Sequence, residues 1–245
     1  MNRKLILNNS ITLDNPANHE QALNLIFDFW KVNSSALVNY IYWASYPLIG
    51  KDEKYTEALR RSDILLPDGI GMYLYVKGIL NISLSNLNGT DFNPVLLDHL
   101  FDKNIPVCFY GATDDSIIKA VDKLKTQNKV VSYFQNGYSE LDWSKIIDNS
   151  ALLVGLGTPK QEEWVFDNID IIKQKKLLVI TVGGYFDFLS GKAKRAPLFF
   201  RSLKLEWLYR VPQCERKRNL RNLYLLNYII KDRNKLRKLN NIYKS

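Results

Sequence analysis

From residue 36 to residue 182, short runs of β-branched, apolar and aromatic residues alternate with longer amphipathic segments, and this alternation restricts the fold more than any other feature. The runs at 36–42, 64–66, 107–110, 130–134, 152–156 and 177–182 are expected as strands. The segments between them, 51–61, 71–80, 93–103, 114–125, 143–148 and 160–173, are expected as helices. Asp114 and Asp115 follow Gly111 and precede Ile117, Ile118 and Val121, a composition suited to a helix start. Strands separated by helical crossovers form a mostly parallel sheet, so the fold class is α/β with a Rossmann-like core. The chain has 245 residues, 46% of them hydrophobic, enough for one substantial core. Neither an internal repeat nor a low-complexity linker divides it.

Beyond Val182 the character changes. Residues 195–245 contain Pro197 and Pro212, no glycine, and many Arg, Lys, Leu and Tyr residues, which reads as helices with basic and apolar faces. The division expected is therefore an α/β core over 1–194 and a basic helical appendage over 195–245. Charge follows the same division. Residues 191–245 hold 16 basic and 3 acidic side chains, net +13, whereas residues 1–190 carry a net of −4. A basic run is either a solvated helix or a surface for an anionic partner, and two acidic residues among the last 31 favour the surface. No window approaches the roughly 20 apolar residues that span a bilayer. The apolar run at 224–230 is short and contains Asn227, so lying on a membrane remains open. Near the start, Asn8, Asn9 and Ser10 end the apolar stretch behind Arg3 and Lys4 too early for a secretory signal, and a cytosolic location is expected. Cys108 and Cys214 lack metal-ligand or CxxC spacing and are expected as free thiols.

In an open α/β sheet, ligands sit at the carboxyl ends of strands, so the turns there are where chemistry is expected. In Pro67-Asp68-Gly69-Ile70-Gly71 an apolar strand runs into a carboxylate, which either serves as a general base or caps the next helix. In Gly155-Leu156-Gly157-Thr158-Pro159-Lys160-Gln161-Glu162 a glycine turn opens a helix whose N–H groups suit a phosphate. It is neither a dinucleotide fingerprint nor a P-loop. Gln161 either bonds a sugar hydroxyl or stays on a solvated helix face. Gly183-Gly184-Tyr185-Phe186-Asp187-Phe188, followed by Gly191, permits close approach of a ligand to backbone. Its aromatic residues either stack on a base or belong to the core, and Asp187 then caps or pairs with a basic neighbour. In Asn88-Gly89-Thr90-Asp91-Phe92, Thr90 or Asp91 is expected to cap a helix. His19 and His99 sit in no metal or nucleophile pattern. No Asp-x-Asp pair is present, so leaving-group charge falls to Arg, Lys and helix dipoles.

In order, Pro67-Asp68-Gly69, Asn88-Gly89-Thr90-Asp91, Gly157-Thr158-Pro159-Lys160-Gln161-Glu162, Gly183-Gly184-Tyr185-Phe186-Asp187-Phe188, Arg195-Ala196-Pro197 and Leu205-Glu206-Trp207-Leu208-Tyr209-Arg210 resemble the WecG/TagA/CpsF family, glycosyltransferase family 26, over roughly residues 36–221. The resemblance implies inverting, metal-independent transfer of a sugar, typically N-acetylmannosamine or its uronic acid. The donor is a UDP-sugar, the acceptor an undecaprenyl-diphosphate-linked sugar at the cytoplasmic membrane face. It implies Asp68 as the base, Gln161 in the active site, and Arg195, Arg210, Arg216 and Arg221 of the appendage toward the diphosphate. Donor-binding positions expected are Asn39, Gly69, Asp91, Gly111, Gly157, Pro159, Glu162, Gly184, Tyr185 and Asp187. No cofactor is implied beyond the UDP-sugar as co-substrate, and family members can self-associate.

There are departures. Leu37 stands where the family often has the Thr of Thr-x-Asn, Asn86 where an Arg often stands, and the usual Glu-Pro is replaced around Cys214-Glu215. The competing class is a nucleotide- or nucleic-acid-binding module whose basic tail meets phosphate backbone. Nucleic acid is not the partner expected, because no RNA- or DNA-binding motif is present.

Overall fold

The computed structural model describes residues 3–7, 10–85, 87–193 and 232. An antiparallel hairpin, β1 (Arg3–Ile6) and β2 (Thr12–Asn15), precedes helix α1 (His19–Asn33). Then follow β3 (Ala36–Tyr42), a 3₁₀ helix (Trp43–Leu48), α2 (Glu53–Arg60), β4 (Ile64–Asp68), α3 (Gly69–Leu80) and α4 (Gly89–Asp102). The next part holds β5 (Val107–Gly111), α5 (Asp114–Lys125), β6 (Tyr133–Gln135), a 3₁₀ turn (Trp143–Lys145) and β7 (Ala151–Gly155). Helices α6 (Lys160–Asp167) and α7 (Ile169–Gln174), strand β8 (Leu178–Thr181) and helix α8 (Tyr185–Leu189) complete the described core. Strands β3 to β8 form one parallel sheet in the order β4-β3-β8-β7-β5-β6, the α/β architecture that the alternation predicts.

Residues alternate between the faces of each strand, and both faces are covered, which is why the strands read as nearly unbroken apolar runs. Val38, Tyr40, Leu66, Phe109, Leu153 and Ile180 pack against α1, α4, α5 and α8. On the opposite face Leu37, Cys108, Leu152, Val154 and Val179 meet Val165 of α6 and Ile172 of α7. A further cluster joins the hairpin, through Leu5 and Leu13, to the 3₁₀ helix, α2 and α3. Asp14 of β2 locks this corner, its buried carboxylate accepting from the Leu65 amide at 3.1 Å.

Three elements depart from expectation. The strand expected at 130–134 is β6, Tyr133–Gln135, an edge strand paired to β5 over three residues, with Val130 exposed ahead of it. The helix expected at 143–148 is a single 3₁₀ turn capped by Asp142, because the buried Ile146 leaves the turn in extended conformation. The helix expected at 160–173 is two helices divided at Asn168, whose side-chain amide donates to the Trp164 carbonyl at 2.8 Å and competes with the backbone ladder. The hairpin, α1, the 3₁₀ helix after β3 and α8 were not among the expected elements. Of the expected appendage, only Asp232 is among the described residues, and among those residues no helix is long and apolar enough to cross a membrane.

Candidate active site

Three of the four turns singled out from sequence leave the carboxyl edge of the sheet, after β4, β7 and β8, and the fourth, at 88–92, opens α4. Asp68 is the last residue of β4, paired in register with Tyr42 at the end of β3. It occupies the cap position of α3, yet its side chain makes no capping bond to that helix. Instead Asp68 Oδ1 accepts from the Gly89 amide at 3.0 Å, the first residue of α4. The half-buried carboxylate thus lies at the positive end of a second helix, an arrangement that favours negative charge. Gly69 supports this geometry with φ of +77°, a conformation that side-chain-bearing residues rarely adopt. Helix α4 is capped by Asn88, whose Oδ1 accepts from the Thr90 amide and hydroxyl, so the cap expected at Thr90 or Asp91 moves to Asn88. Asp91 is in the first turn of α4.

Beside Asp68, on the sheet face that carries α4 and α8, the Tyr40 hydroxyl donates to Asn93 Oδ1 at 2.9 Å. Both groups are buried, and Asn93 Nδ2 has no partner among the described residues. Burial, then the nearby Asp68 and Tyr185, hold the Tyr40 hydroxyl well above the usual tyrosine range, so it remains a proton donor. Tyr40 and Asn93 were missed from sequence. A tyrosine inside an apolar strand reads as core, and nothing local links residues 53 positions apart.

A second polar group follows β7 and β8. Glu162 is fully buried, and its Oε1 accepts from Thr158 Oγ1 and from Gln161 Nε2, each at 2.9 Å. Burial pushes its carboxyl up to about 7 against the opposing pull of these bonds. Gln161 Oε1 in turn accepts from the Gly183 amide at 3.0 Å. Gln161 is 3% exposed, so it does not lie on a solvated helix face. Its amide ties the start of α6 to the turn after β8. Pro159, joined to Thr158 by a cis peptide, precedes α6. Among the described residues, the buried Asn39 Oδ1, Thr181 Oγ1 and Glu162 Oε2 on the α2 and α6 side of the sheet have no partner. Asn39 Nδ2 donates to Ser62 Oγ at 2.8 Å. Leu37, in place of the family's threonine, is packed in the core of that face.

In the third turn, Tyr185 and Phe186 are buried, and the Phe186 ring lies 4.7 Å from that of Phe109, as the core alternative requires. Asp187 Oδ1 accepts from Ser116 Oγ of α5 at 2.7 Å, and Lys192 Nζ reaches the same hydroxyl at 3.3 Å. Gly111 is pressed onto β7, where a Cβ would lie 2.3 Å from the Gly155 carbonyl oxygen. By contrast, a Cβ at Gly69, Gly157, Gly183 or Gly184 would meet nothing within 4 Å. These four leave the backbone open above β4, β7 and β8. Strand β4, which ends in Asp68, and strand β7, which leads through the glycine turn to Gln161 in α6, are three strand spacings apart in the sheet, roughly 14 Å. A cleft of about 450 Å³ lined by Trp30, Lys31, His99 and Lys176 opens at the amino ends of the strands and includes none of these residues. Asn86, Arg195, Arg210, Arg216, Arg221 and Cys214 lie outside the described residues, while Cys108 is a buried free thiol.

A parallel α/β sheet with a carboxylate and open glycine turns along its carboxyl edge defines the class as an α/β protein with its ligand site at the strand ends. The chain belongs to the glycosyl transferase WecG/TagA/CpsF family, whose profile matches residues 8–239. It is 32% identical over 169 residues to the N-acetylglucosaminyldiphosphoundecaprenol N-acetyl-beta-D-mannosaminyltransferase of Bacillus spizizenii, covering 66% of this chain and 65% of that protein. The protein of the same name from Bacillus subtilis matches to the same extent. The one from Staphylococcus aureus strain MW2 is 25% identical over 195 residues, 76% of each chain. The match thus spans about 65% of the length of the Bacillus relatives.

Proposed function

We propose that this chain is an inverting glycosyltransferase that moves N-acetylmannosamine, its uronic acid or a related hexose from a UDP donor to a sugar on undecaprenyl diphosphate, in assembly of a cell-surface polymer. The observation that carries this reading is the Asp68 carboxylate, held at the open carboxyl edge of the sheet by the first amide of α4. Membership of the family and the names of the relatives supply the substrate class.

In this reading the acceptor hydroxyl gives its proton to Asp68 as its oxygen bonds to the anomeric carbon. The bond from that carbon to the diphosphate breaks on the opposite face, and UDP leaves with the electron pair. Asp68 suits the role because it is half-buried at the rim and its Oδ1 is fixed by the Gly89 amide at the start of α4. The open turns at Gly157 and Gly184 let a donor approach the backbone closely. Gln161 acts by holding those two turns together. Charge on the departing diphosphate is met by Arg195, Arg210, Arg216 and Arg221 and by helix amides, without a metal. The core, 1–194, performs the chemistry, and the basic appendage, 195–245, meets the cytoplasmic face of the membrane, each Lys or Arg contributing about 1 kcal/mol near an anionic leaflet.

The test is incubation with EDTA, a panel of UDP-sugars and a short-chain lipid-diphosphate-sugar acceptor, following UDP release and acceptor mass together. A gain of one sugar with inverted anomeric configuration is expected. Release of UDP only after a divalent cation is added, or a retained configuration, would overturn the mechanism.

A further inference from the structure

Asp232 is the only acidic residue after Glu215, in a stretch otherwise dominated by Lys and Arg. It is buried against the core. Its Oδ2 accepts from the Tyr75 hydroxyl at 2.6 Å and from the Tyr46 hydroxyl at 3.3 Å, and the two hydroxyls are in hydrogen-bond contact with each other. The tyrosines form a cup with Trp43, whose ring is 5.6 Å from Tyr46 and 5.2 Å from Tyr75. A carboxylate taken out of water is costly unless its oxygens find donors, and here two hydroxyls from separate elements meet one oxygen. Burial and the neighbouring Tyr46 and Asp232 hold the Tyr75 hydroxyl far above the usual tyrosine range, so it stays a donor.

The position of this cup matters. Tyr46 follows the end of β3, and Tyr75 lies seven residues into α3, on the order of 10 Å along the helix from Asp68. At the other end of the basic stretch, the Ala193 amide donates to the Asp187 carbonyl at 2.9 Å, past β8. Ala193 and Asp232, the described residues on either side of a stretch with ten basic and two acidic residues, thus contact α8 and α3, which follow β8 and β4.

We propose that Asp232 is a positioning residue: by accepting from Tyr75 and Tyr46 it fastens the basic C-terminal stretch to the core, within reach of an anionic donor at the Asp68 edge. The docking half stands on these contacts, whereas its effect on donor binding rests on the transferase reading. The experiment uses the full chain with Asp232→Ala and Asp232→Asn. Limited trypsin digestion reads release of the C-terminal stretch, and steady-state kinetics read the donor KM. A less populated docked state lowers apparent donor affinity in proportion while saturating donor restores turnover. Asp232→Ala is expected to speed tryptic release at least tenfold and raise the donor KM at least tenfold, with kcat within threefold of wild type. Asp232→Asn, which keeps an acceptor oxygen, is expected to recover most of both losses. Unaltered tryptic release in Asp232→Ala overturns the proposal whatever the kinetics. Faster release with an unaltered KM overturns the positioning role. Should Asp232→Ala not fold, the Tyr46→Phe, Tyr75→Phe double variant must show the same faster release. If wild type transfers no sugar, that failure falls on the transferase reading, and the tryptic comparison still decides the docking.

Discussion

Glu162 makes the stability of this protein depend on pH in a way that one substitution removes. Its carboxyl titrates at about 7 in the folded chain, against an ordinary value of 4.5, because burial outweighs the bonds from Gln161 and Thr158. Below pH 4.5 both the folded and unfolded chains hold this proton, and the group costs nothing. Between 4.5 and 7 the folded chain alone holds it, so stability falls as pH rises, and above 7 the full penalty applies. A shift from 4.5 to about 7 corresponds to about 3 kcal/mol. Glu162→Gln keeps an oxygen to accept from Thr158 and Gln161 but carries no charge. Urea denaturation from pH 5 to pH 8.5, followed by tryptophan fluorescence, measures both proteins. The wild type minus variant difference isolates Glu162 from all other titrations. The variant is expected to gain on the wild type by about 3 kcal/mol between pH 5 and pH 8, most of it below pH 7.5. Parallel pH profiles for the two proteins would refute the buried-carboxyl account.

Three further outcomes follow from the geometry. Asp68→Asn keeps the acceptor for the Gly89 amide, so its urea midpoint should match wild type while sugar transfer falls by about 10²- to 10⁴-fold, measured as acceptor mass gained. Tyr40→Phe strips the buried Asn93 of its donor and should cost about 1–3 kcal/mol in urea denaturation, with Tyr40→Phe, Asn93→Leu recovering part of it. Gly111→Ala places a Cβ 2.3 Å from the Gly155 carbonyl oxygen and should lower stability by about 1–3 kcal/mol or more in thermal melts, whereas Gly184→Ala meets open space and should cost less than about 1 kcal/mol.

What could be read from sequence was what repeats or punctuates. Buried strands advertise themselves as apolar runs, and β3, β5 and β7 fall within a residue of their expected bounds. The turns with chemistry stood where glycine and proline interrupt those runs. Helix α1 went unread although Asn18 accepts from the Gln21 amide while Gln21 accepts from that of Ala17, a reciprocal cap whose residues were in view. The hairpin was hidden because its two four-residue strands flank polar Asn8, Asn9 and Ser10 and gain their burial from β4, α2, α3 and the 3₁₀ helix, elements distant in sequence. Asp68 was legible as a carboxylate at the end of a strand, but its partner, Gly89, is 21 residues away and depends on where α4 begins. Distance along the chain also concealed the Tyr40 to Asn93 pair and the Asp232 cup, because each joins elements that only the packed sheet brings together.

The two carboxylates of the strand edge differ in a way that separates their roles. Asp68 is half-buried at a rim beside an open glycine and meets the positive end of a helix, so charge is favoured and access is kept. Glu162 is sealed within the turn after β7, where charge is penalised and both bonds to Oε1 come from its own motif. A base must reach the substrate and carry charge when it acts, and the role proposed for Asp68 rests on an environment that favours its charge where that of Glu162 does not. Glu162 instead fixes Gln161 Nε2, leaving Gln161 Oε1 for the Gly183 amide, and through that pair sets the spacing between the turns of β7 and β8. The proposed division, proton transfer at Asp68 and scaffolding at Glu162, rests on environment, since the two side chains differ chemically by a single methylene.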